Sequence, residues 1–146
     1  MPEGTLYSIS ISPERGTLKN EVEEARVIEN YGLENDGHAG DWDRQVTCLN
    51  KASVDKVNCE HGLNVGPGGF AENLLIEGID LVKIGVGGKL KVGNDVILRV
   101  MQIGKEDHPS IVTRTYGGIS LLPYEGLFCR VIKGGTIRKG DKVEVL

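Results

Sequence analysis

Apolar and polar residues alternate with a period of two along much of this chain, and clusters of turn-forming residues break the alternation at close spacing. A period of two marks strands with one face buried. Leu6-Tyr-Ser-Ile-Ser-Ile11 predicts an N-terminal strand, followed by a turn at Ser12-Pro-Glu-Arg-Gly16. Glu24-Ala-Arg-Val-Ile-Glu29 predicts a second strand. Gln45-Val-Thr-Cys-Leu49 is short and mostly apolar and reads as a buried strand. Phe70-Ala-Glu-Asn-Leu-Leu-Ile76 follows the irregular loop Val65-Gly-Pro-Gly-Gly69 and ends at the turn Glu77-Gly78. Beyond it, Leu81-Val-Lys-Ile84, Lys89-Leu-Lys-Val92, Val96-Ile-Leu-Arg-Val-Met101 and Lys142-Val-Glu-Val-Leu146 are each strand-like, with Gly87-Gly88, Gly93-Asn94-Asp95 and Gly140-Asp141 between most of them.

The last third holds a polar loop at Gly104-Lys-Glu-Asp-His-Pro109 and turns at Tyr116-Gly-Gly118 and Pro123-Tyr-Glu-Gly126. Leu127-Phe-Cys-Arg-Val-Ile132 reads as a strand, and residues 133–141 as a hairpin leading into the terminal strand. A single helix of two to three turns is predicted after Asn50, whose side chain is of a type that caps a first turn. Ala52, Val54 and Val57 form its apolar side and Gly62 stops it. Many short strands with turn signals between them predict a mainly β fold, a barrel or a sandwich, with one or two short helices.

Glycine changes this picture little but sharpens it. Its 21 residues are roughly double the usual share of about 7%, and they follow no short period, so they mark tight turns rather than a linker or a collagen-like repeat. The length of 146 residues suits one domain over 1–146, with no linker or internal repeat. Net charge is -4, with Lys and Arg scattered, which argues against a nucleic-acid or membrane-surface role for the whole protein. The N-terminus lacks the pattern of a signal peptide and no stretch has the length of a membrane span, so a cytoplasmic protein with reduced thiols is the expectation. The three cysteines share no metal-like spacing. Cys48 and Cys129 read as buried small hydrophobes, and Cys59 as exposed on the polar half of the helix.

The chemistry concentrates in Gly32-Leu-Glu-Asn-Asp-Gly-His-Ala-Gly40, followed by Trp42-Asp-Arg-Gln-Val46. Glycine lets the backbone approach a ligand, and the side chains of Asp36, His38, Arg44 and Gln45 are of kinds that bind anions or move protons. Asp36 and His38 are either the floor of a polar pocket or ordinary turn chemistry. Arg44 is suited to grip phosphate or carboxylate at two points, or else forms a structural salt bridge to Asp36 or Asp43. Asn73 follows the glycine-rich loop, whose backbone amides can bind anions, and is otherwise a turn cap. Lys105, His108 and Arg114 make either a basic rim or a solvated loop. Asp107 stands open between a surface carboxylate, a general base and a partner of His108 or Arg114. No metal-ligand cluster is expected.

Taken in order, these motifs resemble a known family. They are Gly4-Thr, Ser12-Pro-Glu-Arg-Gly-Thr-Leu-Lys19, Gly32-x-x-x-Asp36-x-His38-Ala-Gly40, Arg44-Gln-Val46, Gly69-Phe-Ala-Glu-Asn-Leu74, Gly78-Ile-Asp-Leu81, Ile103-Gly-Lys105, Pro123-x-Glu-Gly-x-Phe128-x-Arg-Val131 and Gly134-Gly-x-Ile137-x-x-Gly140-Asp141. Together they resemble the MOSC domain, named for the C-terminal domain of molybdenum cofactor sulfurase. The resemblance covers nearly the whole chain. It implies a β-barrel similar to the β-barrel domain of pyruvate kinase, and a link to molybdenum cofactor, a pterin phosphate dithiolene that carries molybdenum. It implies partners among molybdenum cofactor biosynthesis proteins or molybdoenzymes, and sulfur-carrier or sulfurtransferase chemistry in stand-alone members. Pyridoxal phosphate belongs to the family only through a fused desulfurase domain and is not expected here.

The chain departs from the family pattern where relatives carry thiols. The first such position is Asp107, the second falls near Ser110 or Ile111, and the third is Ser120. A carboxylate or hydroxyl cannot bear a persulfide. Three readings follow. The first is a module that binds molybdenum cofactor or a related anionic pterin through Asp36, His38, Arg44, Gln45, Asn73, Lys105 and Arg114. The second is a sulfurtransferase-like enzyme, with Asp107 and His108 as the catalytic candidates. The third is a degenerate barrel that docks on a protein partner beside Trp42.

Overall fold

The structure, a computed structural model, describes residues 3–15, 17–107 and 109–146. Its eleven strands are β1 (Glu3–Ile11), β2 (Asn20–Val22), β3 (Glu24–Ile28), β4 (Gly32–Leu33), β5 (Val46–Asn50), β6 (Leu74–Glu77), β7 (Lys89–Val92), β8 (Val96–Ile103), β9 (Leu127–Lys133), β10 (Gly135–Arg138) and β11 (Lys142–Val145). The helices are α1 (Lys51–His61), α2 (Ile111–Thr115) and α3 (Leu122–Glu125).

Seven strands close a barrel in the order β1-β11-β7-β8-β9-β5-β6, with β6 returning to β1. All neighbours are antiparallel except β5 and β6, which run parallel. A parallel pair needs a crossover connection, and α1 with the loop after it supplies one. β2 extends β1 as a flap, while β10, β3 and β4 form a separate three-stranded sheet. The mainly β barrel expected from the sequence is therefore the fold.

The strands are legible because alternation has two consequences here. On β5, β6 and β9 one set of side chains fills the barrel interior: Val46, Cys48, Leu74, Ile76, Leu127 and Cys129. The intervening residues Leu49, Leu75 and Phe128 point to the outer face and pack with Val54 of α1, Phe70, and Val112 and Leu122 of α2 and α3. This side of the barrel is buried on both faces, which is why all five residues of β5 are buried.

Four expectations need correction. Leu81–Ile84 is a turn of 3-10 helix, in which Leu81 is buried in the core and Ile84 packs against it while Val82 and Lys83 face solvent. Asn50 does precede α1, but it does not cap it. Its Oδ1 accepts from the amide of Leu81 at 3.1 Å and so pins that turn. Residues 133–141 do not fold on themselves as a hairpin, since β10 pairs along its length with β3. Residues 70–73 are irregular, and strand geometry begins at Leu74.

One helix, α3, lies where a turn was expected, and α2 lies in a stretch for which no element was expected. α2 starts with a capping box, in which Thr113 N donates to Ser110 Oγ and Ser110 N donates to Thr113 Oγ1. α3 has a proline in its first turn, where the missing N–H costs nothing. Among the described residues no helix is long and apolar enough to cross a membrane.

Candidate functional site

A cavity of about 370 Å3 lies between the outer face of β5 and β9 and the layer formed by α2, α3 and the loop of residues 65–73. That size falls within the roughly 300–1,000 Å3 of small-molecule sites. Thr47 and Phe128 supply its floor from the barrel. Phe70, Ile111, Val112 and Leu122 supply apolar walls, and Trp42 closes one side. His38, Arg44, Lys105 and Arg114 converge on it, and among the described residues no carboxylate lines it. In a chain with 21 acidic and 17 basic residues, that sign of charge is a local construction.

Arg44 owes its freedom to how its neighbours are paired. Asp36 is held by Lys19 at 2.6 Å. Asp43 accepts from Arg130 Nε at 2.9 Å, and the same guanidinium donates to Asp41 and Asn30. Neither carboxylate proposed as a structural partner therefore meets Arg44. Its guanidinium lies over the Phe128 ring, 4.9 Å from the centroid, and its Nε reaches Gln102 Oε1 at 3.5 Å. No carboxylate among the described residues forms a salt bridge with it. Lys105 stands close by, its pKa lowered by burial and then by the positive charge of Arg44, against a smaller pull from Asp107.

His38 is set from beneath. The Lys19 ammonium, whose side chain is fully buried, donates to Asp36 Oδ1 and lies 3.0 Å from His38 Nδ1. The backbone of His38 donates to Asp36 Oδ2 at 3.3 Å, and Trp42 Nε1 donates to its carbonyl at 2.7 Å. Its ring is parallel to that of Trp42, over which the Arg15 guanidinium sits at 4.2 Å. Burial and then the charge of Lys19 push the His38 pKa down to about 4, so the imidazole is neutral at pH 7.

Three predicted ligand residues lie beneath the cavity rather than in its wall. Asp36 is the buried partner of Lys19 and also accepts from Ser12 N at 3.1 Å. Gln45 is fully buried, accepting from Val131 N and donating to Asn30. Asn73 accepts from Thr47 N and Oγ1 and donates to the carbonyl of Ser10, tying β5 to β1. Asp107 lies outside the cavity and accepts from the hydroxyl of Tyr124. His108 lies outside the described residues.

The amides of residues 68–71 in the glycine-rich loop are not offered to a ligand, contrary to what the sequence suggests. Glu72, 1% exposed, accepts from Gly68 N at 2.7 Å and Phe70 N at 3.1 Å, while Gly69 N and Ala71 N donate within the loop. The loop binds a carboxyl group of its own. Gly68 is required there: its φ is +80°, and a Cβ would meet the Lys19 carbonyl at 2.3 Å. Burial raises the Glu72 pKa to about 7 despite those two bonds. Lys19 and Glu72 both lie within quoted motifs, yet the local pattern singles out neither, because their partners come from distant segments.

Among the described residues no thiol lines the cavity. Cys48 and Cys129 are buried in the barrel and Cys59 is exposed on α1. Of the positions where the resemblance implies thiols, Ser120 and both candidates for the second, Ser110 and Ile111, do face it.

The molecule is thus a closed β-barrel with a cation-lined cavity on its outer face. The MOSC domain family model matches residues 35–109, just over half of the sequence, and the chain belongs to that family. The family is linked to molybdenum cofactor-related proteins. Among solved structures, the YuaD protein from Bacillus subtilis matches with a TM-score of 0.77 at 16% identity, covering 98% of this chain and 95% of its own. YiiM from Geobacillus stearothermophilus matches with a TM-score of 0.74 at 19% identity, covering 99% and 75%. YiiM from Escherichia coli gives 0.69 at 20% identity, covering 100% and 70%. At these identities the likeness is one of fold. A search of curated proteins found no match.

Proposed function

We propose that the cavity binds molybdenum cofactor or a related anionic pterin, and that it does so without thiol chemistry. The observation that carries this reading is the convergence of His38, Arg44, Lys105 and Arg114 on a cavity that no carboxylate lines among the described residues. A pterin phosphate has an anionic end and a flat, polarizable ring system. Arg44 suits the anion as a planar two-point donor, Lys105 as a point charge and exposed Arg114 as the rim. Phe70, Phe128 and Trp42 offer the apolar surface a flat ring needs. When bound, the cofactor would supply a molybdenum–dithiolene centre, and the chain's own residues the anion cradle and the shape of the pocket.

Sulfur transfer is the weaker reading. It needs a thiolate at the ligand, and the cavity presents hydroxyls at Ser110 and Ser120 instead. Handing the cofactor to biosynthesis proteins or molybdoenzymes is consistent with a holding role, and Asp36, Gln45 and Asn73 then act as supports of the cradle.

The test is the pterin content of protein purified from cells that make molybdenum cofactor, read as fluorescence after acid oxidation. A stoichiometric pterin that is lost in Arg44→Ala is expected. Wild type that stays empty even after incubation with free cofactor would remove the reading.

A further inference from the structure

We infer that Lys19 is a positioning residue that holds His38 as the neutral tautomer protonated at Nε2, so that this end of the cavity presents a hydrogen-bond donor and takes an oxyanion. The inference rests on the anion-site reading only for the nature of the ligand.

An ammonium group has donors and no acceptor. A nitrogen 3.0 Å from Lys19 Nζ must therefore accept, and that nitrogen is His38 Nδ1. A neutral imidazole with Nδ1 as acceptor carries its proton on Nε2. Lys19 is kept in place by Asp36 and by Ser12 Oγ at 3.2 Å, with its side chain sealed from solvent. Lys19 does not line the cavity but His38 does. The ring edge turned away from Lys19, which holds Nε2, is the edge left for a ligand, and Nε2 has no hydrogen-bond partner among the described residues.

The charged groups around the ring agree. Lys19, Arg15 and Lys105 oppose a second proton on His38, and only Asp36 favours it. Burial lowers the Lys19 pKa, while its hydrogen bond to Asp36 and the charges of Asp36 and Glu72 oppose that and favour the ammonium form; Glu72 acts on Lys19 rather than on the ring. A cationic His38 would have to donate from Nδ1 toward an ammonium group. The arrangement therefore yields a donor that does not switch off as pH rises from 6 to 8.

The experiment is nitrogen NMR of protein labelled with 15N-histidine, with His38 assigned by its absence in His38→Gln. In wild type from pH 6 to 8, the expected spectrum has His38 Nε2 protonated and Nδ1 bare. A proton on Nδ1, or a cationic ring at pH 7, overturns the proposal. In Lys19→Gln the single tautomer is expected to give way to a mixture and the His38 pKa to rise. A folded Lys19→Gln with unchanged tautomer and titration also overturns it. If that variant does not fold, the wild-type spectrum decides alone. Inorganic phosphate is the probe for the ligand: a shift of the Nε2 resonance is expected. An intact Nε2 proton with no response to phosphate would support the tautomer and count against the anion site, which separates the two claims.

Discussion

The Arg44 guanidinium lies over the Phe128 ring, 4.9 Å from its centroid, while the aspartates Asp36 and Asp43 are bound to other cations. A guanidinium supported by an aromatic face and denied its carboxylate partners is held ready for an anion from outside. Arg44→Ala should cost about 10-fold to 100-fold in affinity for an anionic pterin, the range of a charged hydrogen bond. Thermal stability should change little, because no salt bridge is broken. Arg44→Lys should recover only part of the affinity, since an ammonium lacks the planar fork. Fluorescence titration together with a melting curve separates the two effects.

Glu72 and His38 make opposite contributions to stability across acid and neutral pH. Folded Glu72 keeps its proton to about pH 7, against 4.5 for the ordinary group. Its contribution is therefore full below 4.5 and is lost as pH rises through 7, by at most about 3 kcal/mol. Folded His38 takes its proton only near pH 4, against 6.5. Its contribution is full above 6.5 and is lost as pH falls through 4. Wild-type stability should be comparatively flat between these values. In Glu72→Gln the His38 contribution is no longer offset, so stability should rise from pH 5 to about 6.5 and level off above it, as followed by chemical denaturation at each pH.

Asn73 should prove to be a structural residue. Asn73→Ala leaves the buried amide of Thr47 without the Oδ1 it donates to at 2.9 Å. An orphaned buried donor costs roughly 1–3 kcal/mol, and the carbonyl of Ser10 loses a donor as well. Denaturation should show a loss of about 2 kcal/mol or more. A stable Asn73→Ala that fails to bind ligand would place Asn73 in the site instead.

Gly68→Ala should damage the cavity from behind. The residue must hold a φ of +80° and bring a Cβ against the Lys19 carbonyl. A cost of about 2 kcal/mol or more is expected from strain and overlap together. Because Lys19 shifts with it, the His38 resonances should move even in protein that remains folded.

Most of the barrel was legible because its strands bury one face or two, and either pattern marks the sequence. Leu81–Ile84 was not, since four residues with apolar ends fit a strand and a 3-10 turn equally. In the site, Arg44, His38, Lys105 and Arg114 were readable as a basic group, but their convergence was not. Gln45 and Asn73 show the converse. A buried amide that satisfies backbone and an amide that binds ligand have the same composition and the same motif, and only burial distinguishes them. Lys19 escaped because its partner Asp36 lies 17 residues away and its role depends on a buried contact.

The most direct test of a thiol-free anion site is equilibrium binding of a pterin phosphate, followed by the pterin's own fluorescence. Four proteins are compared: wild type, Arg44→Ala, Lys105→Ala, and a variant with Cys48, Cys59 and Cys129 all replaced by Ser. The account predicts saturable binding to wild type that phosphate competes away, at least tenfold weaker binding in Arg44→Ala, weaker binding in Lys105→Ala, and unchanged binding in the folded cysteine-free protein. Binding that survives Arg44→Ala intact but is lost with the cysteines would contradict it.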